Sequence, residues 1–168
     1  MKKLFLALLF LLGAVSADAT TRYVINGAGG SGCSKGSSTY TPGTGLCGAG
    51  SALVYTSPQN AANVAVAGDI IEVRAGTYNT STSCPGATWA TVIVCAQSSG
   101  TSGSPITIRA YNGESVTFAM TRGTGNVPAL ADYYPFFTNN KNYWIFGGSG
   151  KGFIVTGGKV RVLVRVAG

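Results

Sequence analysis

Apolar and polar residues alternate along residues 68–78, and the same alternation returns along residues 104–111. Short alternating runs of β-branched residues that end in turn residues are typical of β-strands. When the second run is laid on the first with a shift of 35 residues, Ile71 falls on Ile106. Recurrence at such a spacing is typical of repeat proteins. The pattern therefore predicts that the second strand stacks on the first.

The alternation also predicts which side chains face the interior, because successive side chains of a strand point to opposite faces. We expect these apolar residues to point inward: Ile71, Val73, Ala75, Ile106, Ile108 and Ala110. The shift of 35 residues places Arg74 on Arg109. Both arginines are expected on the outer face, where stacked strands would bring them about 4.8 Å apart.

Two later segments, residues 142–146 and 153–156, continue the pattern as a third winding. We favour Trp144 and Phe146 as inward-facing residues there, although a register slip of one residue would expose them. Residues 159–166 alternate strictly and are predicted to form a half-buried strand.

A short helix is predicted over residues 57–67, ahead of the first of these strands. Ser57 followed by Pro58 is a helix-start signal, and Gly68 ends the run. Three small apolar residues form one face of this helix: Ala61, Val64 and Ala65. Stacked strands leave an open end, so we expect this helix to cap it.

Three motifs carry a family resemblance: GDIIEVRAGTYN, GTSGSPITIRAY and NYWIFGG. They resemble the first coils of secreted right-handed parallel β-helix proteins of the pectate-lyase-like family. The likeness runs from about residue 23 to about residue 158. It implies an all-β fold, a right-handed parallel β-helix with about three N-terminal coils and a capping helix. Family members build many coils, so we expect residues 18–168 to be a partial domain, incomplete at the C-terminus.

Residues 1–17 are predicted to be a signal peptide. Two lysines precede an apolar run that ends in small residues. The run is too short to span a bilayer comfortably. The sequence therefore predicts a secreted protein, extracellular or periplasmic, with no membrane association after the signal is cleaved.

Charge adds a candidate partner. Charged residues are only 10% of the chain, and the formal net charge is +7. Without Lys2 and Lys3 the mature chain has a charge of about +5, which draws polyanions in general. An exported protein without a basic, aromatic-rich cluster is not expected to bind nucleic acid. An acidic polysaccharide is the candidate partner, and a merely solvated basic surface is the alternative.

Four cysteines in an exported chain favour disulfides over free thiols. Three pairings are possible. We favour Cys33 with Cys47 and Cys84 with Cys95, because each pair brackets a loop with little core of its own. Zinc is disfavoured, because the chain has no histidine and no C-x-x-C motif.

The resemblance implies a chemistry but assigns no catalytic residue in this chain. The lyases of the family eliminate across uronate rings with calcium held by carboxylates and a basic residue, all in later coils. We therefore expect no cofactor and no lyase activity in this chain. Calcium is a possible cofactor of a full-length relative. Asp69 and Glu72 are the only close acidic pair. Two carboxylates are too few for a calcium site, and we interpret them as structural.

Arg74 and Arg109 are the candidate glycan-facing residues. Two adjacent guanidinium groups repel each other unless an anion lies between them, and a uronate carboxylate fits that role. Internal pairing with Glu72, or plain solvation, is the alternative. Five aromatic residues are candidate sugar platforms or, alternatively, core and loop anchors: Tyr78, Tyr111, Tyr133, Tyr134 and Trp144.

The resemblance and the charge together imply the N-terminal scaffold of a secreted, polysaccharide-lyase-like β-helix protein that acts on or binds an acidic polysaccharide. A non-catalytic glycan-binding or adhesive β-helix and a structural surface fragment remain the alternatives, since a fold does not determine a function.

Overall fold

Short strands dominate the computed structural model, which describes residues 18–26, 39–48, 52–79, 82–84, 87–120, 132–147 and 153–156. The strands are β1 (Thr21–Val24), β2 (Thr39–Thr41), β3 (Leu46–Cys47), β4 (Ala52–Tyr55), β5 (Ile70–Val73), β6 (Gly76–Tyr78), β7 (Thr82–Cys84), β8 (Ala87–Cys95), β9 (Ile106–Ala110), β10 (Val116–Ala119), β11 (Asp132–Phe137), β12 (Trp144–Phe146) and β13 (Phe153–Thr156). A single α-helix, α1 (Pro58–Ala62), and a 3-10 turn at Tyr111–Gly113 complete the described elements. The fold is all-β, as predicted.

The strands form three sheets. The first has the order β12-β9-β5-β1-β4-β2-β3, and its strands from β12 to β4 are parallel to their neighbours. The second, β13-β10-β6, is wholly parallel. The third, β11-β8-β7, joins β11 to β8 in parallel and β7 to β8 antiparallel. Parallel pairing of strands far apart in the sequence requires a crossover connection each time.

The chain visits the three sheets in a repeating order. From β5 onward the strands lie in the first, second and third sheets in turn, with only the short β7 added to the third. Each strand pairs with the one laid down a full round later: β5 with β9, β6 with β10, β8 with β11, β9 with β12 and β10 with β13. The repeat inferred from the alternating pattern is therefore a repeat of strand pairing.

The register of the first repeat differs from the prediction. Ile71 is aligned with Ile108, a shift of 37 residues, where the sequence alignment gave 35 and paired Ile71 with Ile106. The error is two residues, one full period of the side-chain alternation, so the inward and outward faces within β5 and β9 are still assigned correctly. Sequence alternation alone does not distinguish registers that differ by two.

The core consists of apolar side chains aligned on neighbouring parallel strands. Ile71, Val73, Ile106 and Ile108 are fully buried, as predicted. Ala110 packs partly buried against the same cluster. The prediction that Ala75 points inward was wrong: Ala75 is exposed, because strand β5 ends at Val73 and the chain turns there.

The third winding has the favoured orientation. Trp144 and Phe146 are partly buried and pack against the core, whereas Ile145 between them is 45% exposed. The indole N–H of Trp144 donates a hydrogen bond of 2.8 Å to the carbonyl oxygen of Ser98. The burial pattern along β12 therefore confirms the predicted alternation.

Helix α1 begins where predicted and ends early. Pro58 is its first residue, and the Ser57 hydroxyl accepts a hydrogen bond of 3.2 Å from the Asn60 N–H. The helix stops at Ala62 instead of continuing to residue 67, and Val64 is 46% exposed, so the predicted three-residue face is wrong at that position. Ala61 and Ala65 are fully buried in the main core.

The helix also covers a strand edge. The side-chain amide of Gln59 accepts a hydrogen bond of 2.6 Å from the Cys95 N–H and donates one of 3.0 Å to the Cys95 carbonyl oxygen. These contacts satisfy backbone groups at the end of β8 as a neighbouring strand would.

A buried ion pair lies at the start of β5. Arg22 is aligned with Ile71, so its side chain shares the inward face, and it lies 2.8 Å from the fully buried carboxylate of Asp69. Asp69 also accepts hydrogen bonds of 2.9 Å from the Thr20 and Val66 N–H groups. Arg22 donates to the Tyr55 hydroxyl at 3.1 Å. Asp69 is therefore structural, and it does more than the turn role that the sequence indicated.

The cysteine prediction is confirmed where it can be followed. Cys84 and Cys95 form a disulfide, with their Cα atoms 5.6 Å apart. Cys47 is disulfide-bonded, but Cys33 lies outside the described residues. The predicted signal peptide (1–17) and the predicted strand at 159–166 also lie outside them. No helix among the described segments is long and apolar enough to cross a membrane.

Candidate functional site

Polar side chains collect on the outer face of the first sheet, on neighbouring strands. Glu72 of β5 is aligned with Arg109 of β9 and with Tyr23 of β1. Aligned residues of parallel strands present their side chains on the same face. The Nε and Nη2 atoms of Arg109 donate hydrogen bonds of 2.9 and 2.6 Å to Glu72 Oε1. Glu72 is 9% exposed, whereas the side chain of Arg109 is 41% exposed.

Arg74, just beyond the end of β5, has a separate acidic partner. Its Nε donates to both carboxylate oxygens of Glu114, at 3.0 and 2.9 Å, and its Nη2 lies 2.9 Å from Oε1. Its Nη1 donates to the Tyr40 hydroxyl at 2.5 Å and to the Pro42 carbonyl oxygen at 2.9 Å. The Ala75 N–H completes the cluster with a hydrogen bond of 2.6 Å to Glu114 Oε2.

The predicted stack of Arg74 on Arg109 is therefore wrong. The two-residue difference in register places a carboxylate, Glu72, opposite Arg109. Each guanidinium is paired with its own carboxylate, so the repulsion that an external anion was expected to relieve does not arise. The internal-pairing alternative named Glu72 as the partner of Arg74, but the structure pairs Glu72 with Arg109 and Arg74 with Glu114.

Three tyrosines surround these ion pairs. The rings of Tyr23 and Tyr40 are 5.3 Å apart, and those of Tyr23 and Tyr111 are 5.8 Å apart. The Arg74 guanidinium carbon lies 4.6 Å from the centre of the Tyr111 ring. This distance is typical of a cation–π contact. Together with the hydrogen bonds, this contact holds the Arg74 side chain in place.

The other aromatic candidates have different positions. Tyr78 and Tyr134 are buried, and the Tyr78 hydroxyl donates to backbone carbonyl oxygens of Val24 and Arg74. Core packing is therefore the role of these two residues. Trp144 packs against the core, and the side chain of Tyr133 lies outside the described residues.

A cavity of about 390 Å³ lies next to the Arg74–Glu114 pair. Its lining consists of Ile25, Asn26, Tyr40, Gly45, Arg74, Ala75, Gly76 and Glu114. The walls come from the end of β1, the β2–β3 hairpin, the turn between β5 and β6, and the turn after β9. Gly76 adopts a φ of 148°, and a Cβ there would meet Asn26 Cβ at 2.9 Å, so this wall requires glycine.

Several groups of the site have shifted pKa values. Burial acts to raise the pKa of Glu114, but the hydrogen bonds from Arg74 and the Ala75 N–H outweigh it, and the pKa lies below its ordinary value. The hydrogen bond to Glu114 raises the pKa of Arg74, so the pair remains ionised. Burial raises the pKa of Tyr40 and of Tyr23, and the charge of Glu72 raises that of Tyr23 further.

These features describe a polar surface whose charged side chains are each held by hydrogen bonds. Each ion pair carries no net charge, and the raised pKa values of Tyr23 and Tyr40 keep these two hydroxyl groups protonated at neutral pH. Among the described residues, no group of three or more acidic, cysteine or histidine side chains is placed to hold a metal ion. The arrangement suits hydrogen bonding to a polar ligand through carboxylate, guanidinium and phenol groups.

Sequence reasoning missed Tyr40, Glu114 and Tyr23 as members of the site. Arg74 lies 34 residues from Tyr40 and 40 residues from Glu114 along the chain. The only local signal was the turn Asn112-Gly113, where both residues adopt a positive φ and direct the chain back past the end of β5. A contact between residues this far apart along the chain cannot be predicted from a local sequence pattern.

Comparison with known proteins does not place the chain in a family. No family model, no curated protein and no solved structure matches it.

Proposed function

We propose that this chain is the N-terminal scaffold of a secreted right-handed parallel β-helix protein that binds an acidic extracellular polysaccharide. The observation that carries the scaffold part is the repeating order of the sheets, in which β5, β6, β8, β9 and β10 each pair in parallel with the strand one round later. A chain that winds through three sheets in turn is the pattern expected of a β-solenoid.

The columns of apolar side chains support the same proposal. Val116 is aligned with Phe153, and Phe118 is aligned with Val155. Val116 and Phe118 are buried in the same core as Ile71 and Ile108, and Phe153 and Val155 pack against it. A solenoid buries its core between windings, not within one of them. Helix α1 covers the first winding in the position that a terminal cap would occupy.

Arg109 supports the polysaccharide part. Its guanidinium is held at a defined position by Glu72 and is still 41% exposed, on a chain with an excess of basic residues. A positioned, accessible guanidinium is suited to a carboxylate of a uronate chain. We place Arg109, and not the enclosed Arg74, at the contact.

The test is retention of the purified protein on immobilised polygalacturonate or alginate at low salt. Arg109→Gln should elute at lower salt than Lys141→Gln, which removes one positive charge elsewhere. The double variant Glu72→Gln/Arg109→Gln keeps the wild-type net charge and leaves no unpaired carboxylate. Its early elution would support a specific contact of the Arg109 guanidinium, whereas wild-type retention would contradict it.

A lyase activity is the second candidate, and it rests on the resemblance alone. We expect this chain to release no unsaturated uronate product, measured by ultraviolet absorbance, with or without added calcium. A calcium-dependent rise in absorbance would overturn that expectation.

A further inference from the structure

We propose that the cavity beside Arg74 and Glu114 binds an uncharged sugar residue, at a site separate from Arg109. Its volume of about 390 Å³ lies within the range of about 300–1,000 Å³ that is common for small-ligand pockets. The cavity opens next to side chains that are only partly buried, since Arg74 is 22% exposed and Glu114 is 25% exposed.

The polar groups of the lining suit hydroxyl groups. Glu114 offers carboxylate oxygens as acceptors, and Asn26 has an amide with both donors and an acceptor. The Tyr40 hydroxyl oxygen accepts from Arg74, and no acceptor for its own hydrogen is found within the described segments. Neighbouring hydroxyl groups of a sugar ring both donate and accept, so they can use this mixture of groups.

The apolar part of the lining suits the faces of a sugar ring. Ile25 and Ala75 line the same cavity, together with the glycines at positions 45 and 76. Ligand sites typically combine an apolar lining with a few placed polar groups.

Charge determines which sugar fits. Arg74 is the only cation among the described residues of the lining, and Glu114 already neutralises it through three contacts of 2.9 to 3.0 Å. A uronate carboxylate would have to displace Glu114 or lie beside its negative charge, and either arrangement is unfavourable. The cavity therefore favours neutral over acidic sugars, the opposite of the preference proposed for Arg109.

The positions of the polar groups are set before any ligand binds. Arg74 is held by Glu114, Tyr40, Pro42 and the ring of Tyr111, and Asn26 Nδ2 donates to the Thr77 carbonyl oxygen at 2.8 Å. Binding then requires little ordering of these side chains, which lowers its entropic cost.

The experiment compares α-1,4-galactobiose with α-1,4-digalacturonate, two probes that differ in the oxidation of C6. Titration is followed by the amide resonances of Ala75 and Gly76 in the full chain. We expect galactobiose to shift both resonances in a saturable way, with an affinity at least about tenfold higher than that of digalacturonate at these amides. Equal or tighter binding of digalacturonate there, or no saturable shift with galactobiose, would overturn the proposal.

Ala75→Leu fills the cavity at an exposed position, and Ala19→Leu is the matched control because Ala19 is exposed and lies outside the lining. We expect the first variant to lose galactobiose binding and the second to keep it. Tyr40→Phe removes only a hydroxyl and should weaken binding several-fold with the amide spectrum otherwise preserved. Galactobiose binding that survives both Ala75→Leu and Tyr40→Phe would refute the site.

Failure of this proposal is separable from failure of the proposed function. Ala75→Leu leaves Arg109 and the net charge unchanged, so retention on polygalacturonate should be the same as for the unmodified chain.

Discussion

The two ends of strand β5 contain similar ion pairs in different surroundings. At its beginning, Asp69 is fully buried and paired with Arg22, and at its far end Arg74 and Glu114 are about a quarter exposed beside a cavity. The first carboxylate has no route to solvent, so its hydrogen bonds to Arg22, Thr20 and Val66 must compensate for complete desolvation. The second remains accessible to a ligand. Burial, and not residue type, separates a structural pair from a candidate binding pair.

The buried pair should show the largest effect. Asp69→Ala leaves the Arg22 charge and two backbone N–H groups without their acceptor, and we expect a loss of about 3–5 kcal/mol in the free energy of unfolding. Urea denaturation measures it. The double variant Arg22→Met/Asp69→Asn removes both charges and should recover a large part of the loss. A double variant no more stable than Asp69→Ala would show that the ion pair is not the cause.

Arg109→Ala should have an intermediate effect. It leaves the Glu72 carboxylate buried without its donor, at a cost of about 1–3 kcal/mol. The double variant Glu72→Gln/Arg109→Gln should be closer to the wild-type protein than Arg109→Ala is. An Arg109→Ala variant with wild-type stability in the same urea titration would mean that solvent replaces the lost donor fully.

Glu114→Gln should cost less, about 1 kcal/mol, because the pair is partly exposed and the amide can still accept hydrogen bonds. The loss should shrink at high salt, where exposed charges are screened. The stability loss of Asp69→Ala, measured in low and high salt, is the comparison. It should change little with salt, because the Arg22–Asp69 pair is buried. An equal salt response of the two variants would contradict the difference in burial.

The pH dependence should be the smallest effect. The pKa of Glu114 is lower in the folded than in the unfolded chain, so the unfolded chain binds its proton first as the pH falls. The stabilisation by this group is complete above its ordinary pKa of 4.5 and is lost as the pH falls toward the folded value. Glu114→Gln should flatten this part of the stability curve. An unchanged curve between pH 5 and about pH 3 would exclude Glu114 as its source.

Local patterns were sufficient for strands β5 and β9, for the start of α1 and for one disulfide. Alternation in residues 68–78 and 104–111 predicted the strands and their inward faces, and Ser57-Pro58 predicted the start of α1. The Cys84–Cys95 disulfide followed from the composition of the loop between the two cysteines. All of these depend on neighbours within a few residues, where periodicity and capping act.

The contacts of the site depended on the register between parallel strands. A shift of 37 rather than 35 residues replaced an Arg74–Arg109 contact with Glu72–Arg109, and the turn at Asn112 brought Glu114 to Arg74. The register between parallel strands follows from the lengths of the intervening turns and from packing in the core. The alternation of side chains does not distinguish registers that differ by two residues.

The amino-acid sequence by itself determined that the chain is built of short strands, which of their faces is apolar, and where a helix and a disulfide lie, because those properties arise from local periodicity, capping and loop composition. Only the tertiary structure decided which charges meet, that Arg22 and Asp69 are buried, and that Arg74 and Glu114 border a cavity. The physical reason is that ion pairs and cavities form between residues far apart along the chain, where no local pattern constrains the partner.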